Sequence, residues 1–290
     1  MKQSQEKCKV ISFINMKGGV GKTTLTINIG YTLSKEYSKN VLIIDMDPQF
    51  NATQALMTKF DSIKNYSKLR DSGSTIASVL VPQTHSMITN NSINDKEPGS
   101  ELPAKVIKEL LPQNIRSSKF DLIPGDLSLT EFESTARGSE KLLFKFIKDN
   151  NIKEDYDYIL IDTPATYSVY SQTSLFASDY YLVPIAPDIF SSLGYDLLKN
   201  ALKKDLVLED HELINLGVLF TLTSETRSKR NNIQTSFEDT EKFTHSLEEN
   251  ENIRSGNISN FIYDMSSTKG NIIELTKEFL IKLGENLDEK

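Results

Sequence analysis

The chain has no tryptophan, three histidines and a single cysteine, Cys8, among its 290 residues. One cysteine excludes an internal disulfide framework and leaves too few thiolates to hold an iron–sulfur cluster. His85, His211 and His245 lie far apart without metal-site spacing, so no role is assigned to them. No apolar run approaches the roughly 20 residues of a membrane span. The stretch from Met1 to Lys7 is polar, unlike a secretory leader. Excess positive charge is also missing. The net charge is −7, which argues against a dedicated, highly basic nucleic-acid binder. It still allows a local basic patch, because charge acts over about one Debye length, ~10 Å. What is present is ordinary for a globular chain: 38% apolar and 25% charged residues. The length suits one large α/β domain with a full core, so a single domain over 1–290 and a cytoplasmic location are expected.

Only 13 glycines are present, and three of them, Gly18, Gly19 and Gly21, fall in one loop, Asn15-Met16-Lys17-Gly18-Gly19-Val20-Gly21-Lys22-Thr23-Thr24. An apolar run, Val10 to Ile14, precedes it and a helical pattern from Leu25 to Tyr37 follows. Strand, glycine loop and helix start make a phosphate-binding context. The glycines let successive N–H groups turn inward as an anion nest, and the helix adds its positive N-terminal end. Lys22 is expected to reach the β and γ phosphates, and the Thr23 hydroxyl to ligate Mg²⁺. The first glycine of the plain G-x-x-x-x-G-K-[ST] pattern is Met16 here, and an additional cation, Lys17, stands beside the cradle.

Two further apolar runs end in acids. Asn40 to Ile44 leads into Asp45-Met46-Asp47-Pro48-Gln49-Phe50-Asn51-Ala52-Thr53, and Tyr156 to Ile161 leads into Asp162-Thr163-Pro164-Ala165. Continuous rather than alternating apolar residues indicate parallel strands buried on both faces. Open α/β sheets place their chemistry at the carboxyl ends of such strands. Further strands are read at Lys119–Ile123, Tyr180–Ile185 and Leu213–Thr221. Helices are read at Ala52–Lys59, Thr75–Leu80, Glu140–Lys148 and Asn271–Leu283, with a polar surface helix at Asn231–Asn250. A long Ser/Asn/Thr-rich surface loop is expected within 84–101. The fold expected is a mostly parallel sheet with helices on both faces.

The Lys17-Gly18-Gly19-Val20-Gly21-Lys22-Thr23 loop resembles the deviant Walker A loop of the ParA/MinD superfamily, K-G-G-x-G-K-[ST]. Asp45 to Thr53 is similar to that family's D-x-D-P-Q-x-N-A-T, and Asp162-Thr163-Pro164 to its Walker B D-x-P-P. The resemblance implies a P-loop ATPase of the partition type, without an N-terminal helix-turn-helix domain. Gly18 to Thr24 would bind the nucleotide, with Lys17 reaching the ATP of a partner subunit. Asp47 would hold the attacking water; Thr23, Asp45 and Asp162 would serve Mg²⁺. Pro187 and Asp188 would lie near the adenosine. The implied partners are a second copy of the chain in an ATP-dependent homodimer, non-specific DNA, and a ParB-like centromere-binding protein at the nucleoid. Arg227, Lys229 and Arg230 would contribute DNA contacts, with a solvated loop as the alternative. Two other readings stand beside this one. A MinD-like regulator on membranes is opposed by the acidic final helix with Glu274, Glu278 and Glu285. A metabolic or kinase-type enzyme would share the loop but turn over a second substrate.

Overall fold

The computed structural model describes residues 8–81, 106–111, 118–134, 138–188, 191–223, 237, 240–249 and 261–287. The loop expected within 84–101 and the cluster Arg227, Lys229 and Arg230 lie outside the described residues.

The strands are β1 (Lys9–Phe13), β2 (Val41–Asp45), β3 (Lys108–Glu109), β4 (Phe120–Ile123), β5 (Tyr158–Asp162), β6 (Tyr180–Ile185), β7 (Ile214–Thr223) and β8 (Leu247–Glu248). Among the described residues they form one eight-stranded sheet in the order β3-β4-β2-β5-β1-β6-β7-β8. Every pairing is parallel except β3 with β4. The helices are α1 (Lys22–Lys35), α2 (Asn51–Phe60), α3 (Ile63–Asp71), α4 (Ala77–Leu80), α5 (Leu142–Asp149), α6 (Val169–Phe176), α7 (Ser191–Lys204) and α8 (Lys269–Lys282).

The apolar runs are explained by what covers the sheet. Ile11, Phe13, Ile43 and Leu160 face α1, α2 and α8 through Leu25, Leu56, Ile272 and Phe279. Val10, Leu42, Ile44, Ile159 and Ile161 face the other way, toward Val79, Phe146 and Tyr170. On the same side Val183, Ile185, Val218 and Phe220 pack against Leu175, Tyr195 and Leu198 of α6 and α7. Both faces are dry, so the strands read as near-continuous apolar runs rather than alternating ones. Burying each such side chain contributes about 1.5–3 kcal/mol. Cys8 is buried at the foot of β1, where desolvation pushes its thiol up to about 12 and leaves it inert.

One expectation is corrected. The described part of Asn231–Asn250 is not helical: residues 240–249 run beside β7, with a bridge between Val218 and Lys242 and the short strand β8. Gly217 makes this possible. It has φ +110°, and a Cβ there would lie 2.6 Å from the Glu241 carbonyl oxygen, so only glycine admits the approach.

The order β2-β5-β1-β6 matters for function. These parallel strands end on one edge, and Asp45 and Asp162 are in direct register, as are Phe13 and Asp162. The glycine loop and both acid-ended strands are thereby gathered at one place.

Candidate functional site

The loop 14–21 leaves β1 and delivers Lys22 as the first residue of α1. Gly19 and Gly21 have φ +72° and +82°, the left-handed turn that glycine adopts without strain. Three side-chain bonds peg the loop. The Asn15 amide donates to the Pro184 carbonyl of β6 at 2.7 Å, and its oxygen accepts the Lys17 N–H at 2.9 Å. The Thr221 hydroxyl of β7 donates to the Val20 carbonyl at 2.7 Å. Gly18 passes 3.9 Å, measured from an added Cβ, from the Ala165 side chain, and Val20 is buried. Thr24 lies in the first turn of α1, its carbonyl accepting from the Asn28 amide.

Lys22 is only 7% exposed. Its ammonium makes two long bonds, 3.3 Å each, to the loop carbonyls of Asn15 and Lys17. Burial lowers its pKa, while the charges of Asp162 and Asp47 oppose that shift. A buried ammonium over a glycine loop, with weak protein partners and a helix N-terminus beside it, is poised for an anion.

The carboxylates divide into different tasks. Asp162 accepts the Thr23 hydroxyl at 2.7 Å on Oδ2, while its buried Oδ1 has no hydrogen-bond partner. Burial, then the nearby Asp45 charge, raises its pKa; Thr23 and Lys22 act in the opposite direction. Asp45 is spent on the protein: its Oδ2 accepts the Thr53 N–H at 2.8 Å and the Thr53 hydroxyl at 2.7 Å, and its Oδ1 accepts the Asp47 N–H at 3.2 Å. Burial pushes it up to about 7 against those bonds. Asp47 is half-buried; its Oδ1 accepts the Gln49 N–H at 2.9 Å, which aims the loop. Three carboxylates around one buried lysine leave a deficit of positive charge, and the unpartnered Oδ1 is the atom a cation or its water would fill. Among the described residues no group of three or more His, Cys, Asp or Glu could hold a metal on protein ligands alone. Mg²⁺ fits such a place, because it is commonly held by one or two protein oxygens together with phosphates and water.

Lys17 and Asp188 are brought together: the Lys17 ammonium pairs with Asp188 Oδ2, both side chains being partly exposed, 40% and 35%. Asp188 follows β6, and its N–H donates to the Ser191 hydroxyl at 3.1 Å, while Pro187 before it is half-buried. Several residues of the site escaped sequence reasoning. Thr53 bridges Asp45 to the Gly125 N–H, which donates to its hydroxyl at 2.8 Å. The Thr163 hydroxyl donates to the Phe13 carbonyl at 2.7 Å, and Thr221 pegs the loop. The signal for Thr163 was its place directly after Asp162, and for Thr53 its place at the end of the Asp45–Thr53 stretch; Thr221 left none.

The profile of a family described as AAA domain matches residues 8–210. An uncharacterized protein of Methanocaldococcus jannaschii is 34% identical over 198 residues, covering 67% of this chain. The match spans 65% of that relative, just under two thirds of its length. The sporulation initiation inhibitor protein Soj of Bacillus subtilis is 28% identical over 218 residues, covering 74% of this chain and 72% of Soj. Among solved structures, a putative plasmid partition protein of Borrelia burgdorferi bound to AMPPNP superposes with a TM-score of 0.72 at 24% identity. That superposition covers 95% of this chain and 99% of the Borrelia chain; at this identity it establishes the fold.

Proposed function

Because the chain belongs to the AAA-domain family, with a P-loop of the ParA/MinD type, we propose that it is a partition ATPase. Its ATP-bound homodimer holds DNA without sequence preference, and a centromere-binding partner triggers hydrolysis and release. The carrying observation is the pairing of Thr23 with Asp162, whose second oxygen is unbonded, directly beside the buried Lys22 at a helix start.

The chemistry follows from what each residue can offer. The N–H groups from Gly18 to Thr23 cradle the phosphates. Lys22 exchanges its two long carbonyl bonds for the β and γ phosphate oxygens, and its charge offsets the negative charge that builds on them. Thr23 and Asp162 would hold Mg²⁺, whose chemistry there would be to offset the negative charge of the phosphates. Asp45 acts through others: it fixes Thr53 and the Asp47 N–H, so Asp47 presents its carboxylate at a set place to orient water. Lys17 leaves Asp188 and reaches the partner subunit's nucleotide. Arg227, Lys229 and Arg230 supply cations for DNA phosphates.

The experiment is retention of the purified protein on non-specific duplex with ATP, ADP or no nucleotide. Retention with ATP alone supports partition. Equal retention in all three states, or none, removes the DNA-segregation reading while leaving the ATPase intact.

A further inference from the structure

Residues 163–168 join Asp162 to α6 and pass beside the glycine loop, where Ala165 lies 3.9 Å from a Cβ added at Gly18. This connection is pinned at its start by the Thr163 hydroxyl, which donates to the Phe13 carbonyl at 2.7 Å. Its far end lacks the ordinary pin. Ser168 stands at the N-cap position of α6 but makes no cap hydrogen bond, and its hydroxyl is buried without a partner among the described residues. A serine in that place usually holds the corner. Here the Ser171 hydroxyl reaches back to the Thr166 carbonyl at 2.6 Å, and the Tyr167 hydroxyl leaves the loop to meet Asp205.

Asp205 directly follows α7 and is buried. Its Oδ2 accepts the Tyr167 hydroxyl and, at 3.0 Å, the Gln172 amide, while its Oδ1 accepts the Val207 N–H at 2.9 Å. The acceptor is thus itself held from behind, and bonds to a carboxylate are the stronger kind. The Tyr167 ring packs on the cluster that includes Leu175, Tyr195 and Leu198, and Met16 of the glycine loop leans on the same cluster. Desolvation, and then the bond to Asp205, push the Tyr167 phenol above its usual range, so it remains a donor at any working pH. At the other end of α7, the Ser191 N–H donates to the Asp188 carbonyl at 3.1 Å, and Asp188 pairs with Lys17. One helix is therefore tied at one end beside Lys17 and at the other to the loop behind Asp162.

We infer that Tyr167 and Asp205 are positioning residues for ATP hydrolysis: their bond fixes the loop behind Asp162, and with it the place of Ala165 against the glycine loop, while neither residue touches the nucleotide. Without the bond, the far end of the loop keeps only the Ser171 contact and the packing of the Tyr167 ring. The loop then drifts relative to the cradle, and a displacement of about 1 Å at a reacting geometry can cost about 10²-fold in rate. Lys22 and the glycine-loop N–H groups stay where they are, so nucleotide binding is spared. Gln172 shows the difference between holding the fold and holding the loop. It donates to the same carboxylate, but from within α6 rather than from the loop.

The inference rests on the ATPase reading, so the test pairs a measurement without turnover with one that needs it, on Tyr167→Phe and Gln172→Ala. Tyr167→Phe keeps the ring and removes the hydroxyl. Hydrogen–deuterium exchange of the nucleotide-free proteins should show the amides of 163–168 exchanging about tenfold faster in Tyr167→Phe and within about twofold of wild type in Gln172→Ala. Steady-state kinetics should show Tyr167→Phe with kcat lowered about tenfold and KM for ATP within about twofold, the split expected when positioning is lost and binding is not. Gln172→Ala should keep both constants near wild type. Unchanged exchange in Tyr167→Phe overturns the inference, as does an unchanged kcat. Equal losses of kcat in the two variants overturn it too, because Asp205 would then serve only the fold. Wild type without turnover would remove the ATPase reading and this inference together, a result distinct from a failure of the pair alone.

Discussion

The Thr23 hydroxyl, at the head of the first helix, donates at 2.7 Å to the carboxylate of Asp162, which ends a strand 139 residues further along the chain. This bond crosses from the start of α1 to the end of β5 and leaves Asp162 Oδ1 buried and unbonded. Asp162→Asn keeps an acceptor for Thr23 but removes the charge. It is expected to fold and bind nucleotide, to require more Mg²⁺, and to lose about 10²-fold or more in turnover. A Mg²⁺ titration of turnover checks this; an unchanged Mg²⁺ requirement counts against Asp162 as a metal residue.

Lys17 and Asp188 form an ion pair that is partly exposed, so breaking it costs only about 0–1 kcal/mol. Asp188→Ala should therefore move the ATP concentration needed for self-association by no more than about fivefold. Lys17→Ala should abolish ATP-dependent self-association. Light scattering against ATP concentration separates the two. Equal effects from both variants would show that Lys17 works within its own subunit.

Phe50 has φ +43° and caps α2 from the left-handed region, while its ring stacks on Tyr66 with centroids 5.3 Å apart. Alanine loses the stack and keeps the backbone penalty; glycine loses the stack and removes the penalty. Phe50→Ala is therefore expected to be about 1–2 kcal/mol less stable than Phe50→Gly. Urea unfolding of the pair decides it, and a more stable alanine variant would contradict the strain.

How far the sequence could be read is clearest at single residues. Val10 to Ile14 and Tyr158 to Ile161 were legible as strands because both their faces are buried, and the glycine loop because three glycines precede Lys-Thr. Asp45 beside Asp162 was foreseeable as two acids at strand ends. That Asp45 serves Thr53 rather than Thr23 was not, because hydrogen bonds between distant segments leave no periodic trace. Residues 240–249 misled for a related reason: a polar composition suggested a surface helix, but Gly217 lets that stretch run against β7. Phe50 fell on the open position of the motif, so its residue type carried no signal; its positive φ emerged from the backbone.

Glu285 ties the segment after α8 to the foot of the sheet, accepting from Lys9 at 2.8 Å, Lys39 at 3.0 Å and Tyr158 at 2.6 Å. Burial would raise its pKa, but these donors outweigh it and pull it down to about 2. A depressed carboxyl stabilises the fold above its unfolded value of 4.5 and loses that contribution as pH falls toward about 2. Glu285→Gln should be less stable than wild type at neutral pH by about 1 kcal/mol, discounted for water at this edge. The gap should close as pH falls through that window. Urea unfolding across pH is the check, and a gap that stays constant would refute the linkage.

The central claim is that Asp47 acts on water while Lys22 holds the nucleotide. Sedimentation velocity with ATP, comparing Asp47→Ala with Lys22→Ala, tests it most directly. Asp47→Ala should keep ATP and accumulate as a dimer, its turnover reduced about 10²-fold or more. Lys22→Ala should remain monomeric, because the phosphates lose their buried cation. A monomeric Asp47→Ala protein, or a dimeric Lys22→Ala protein, would contradict the assignment.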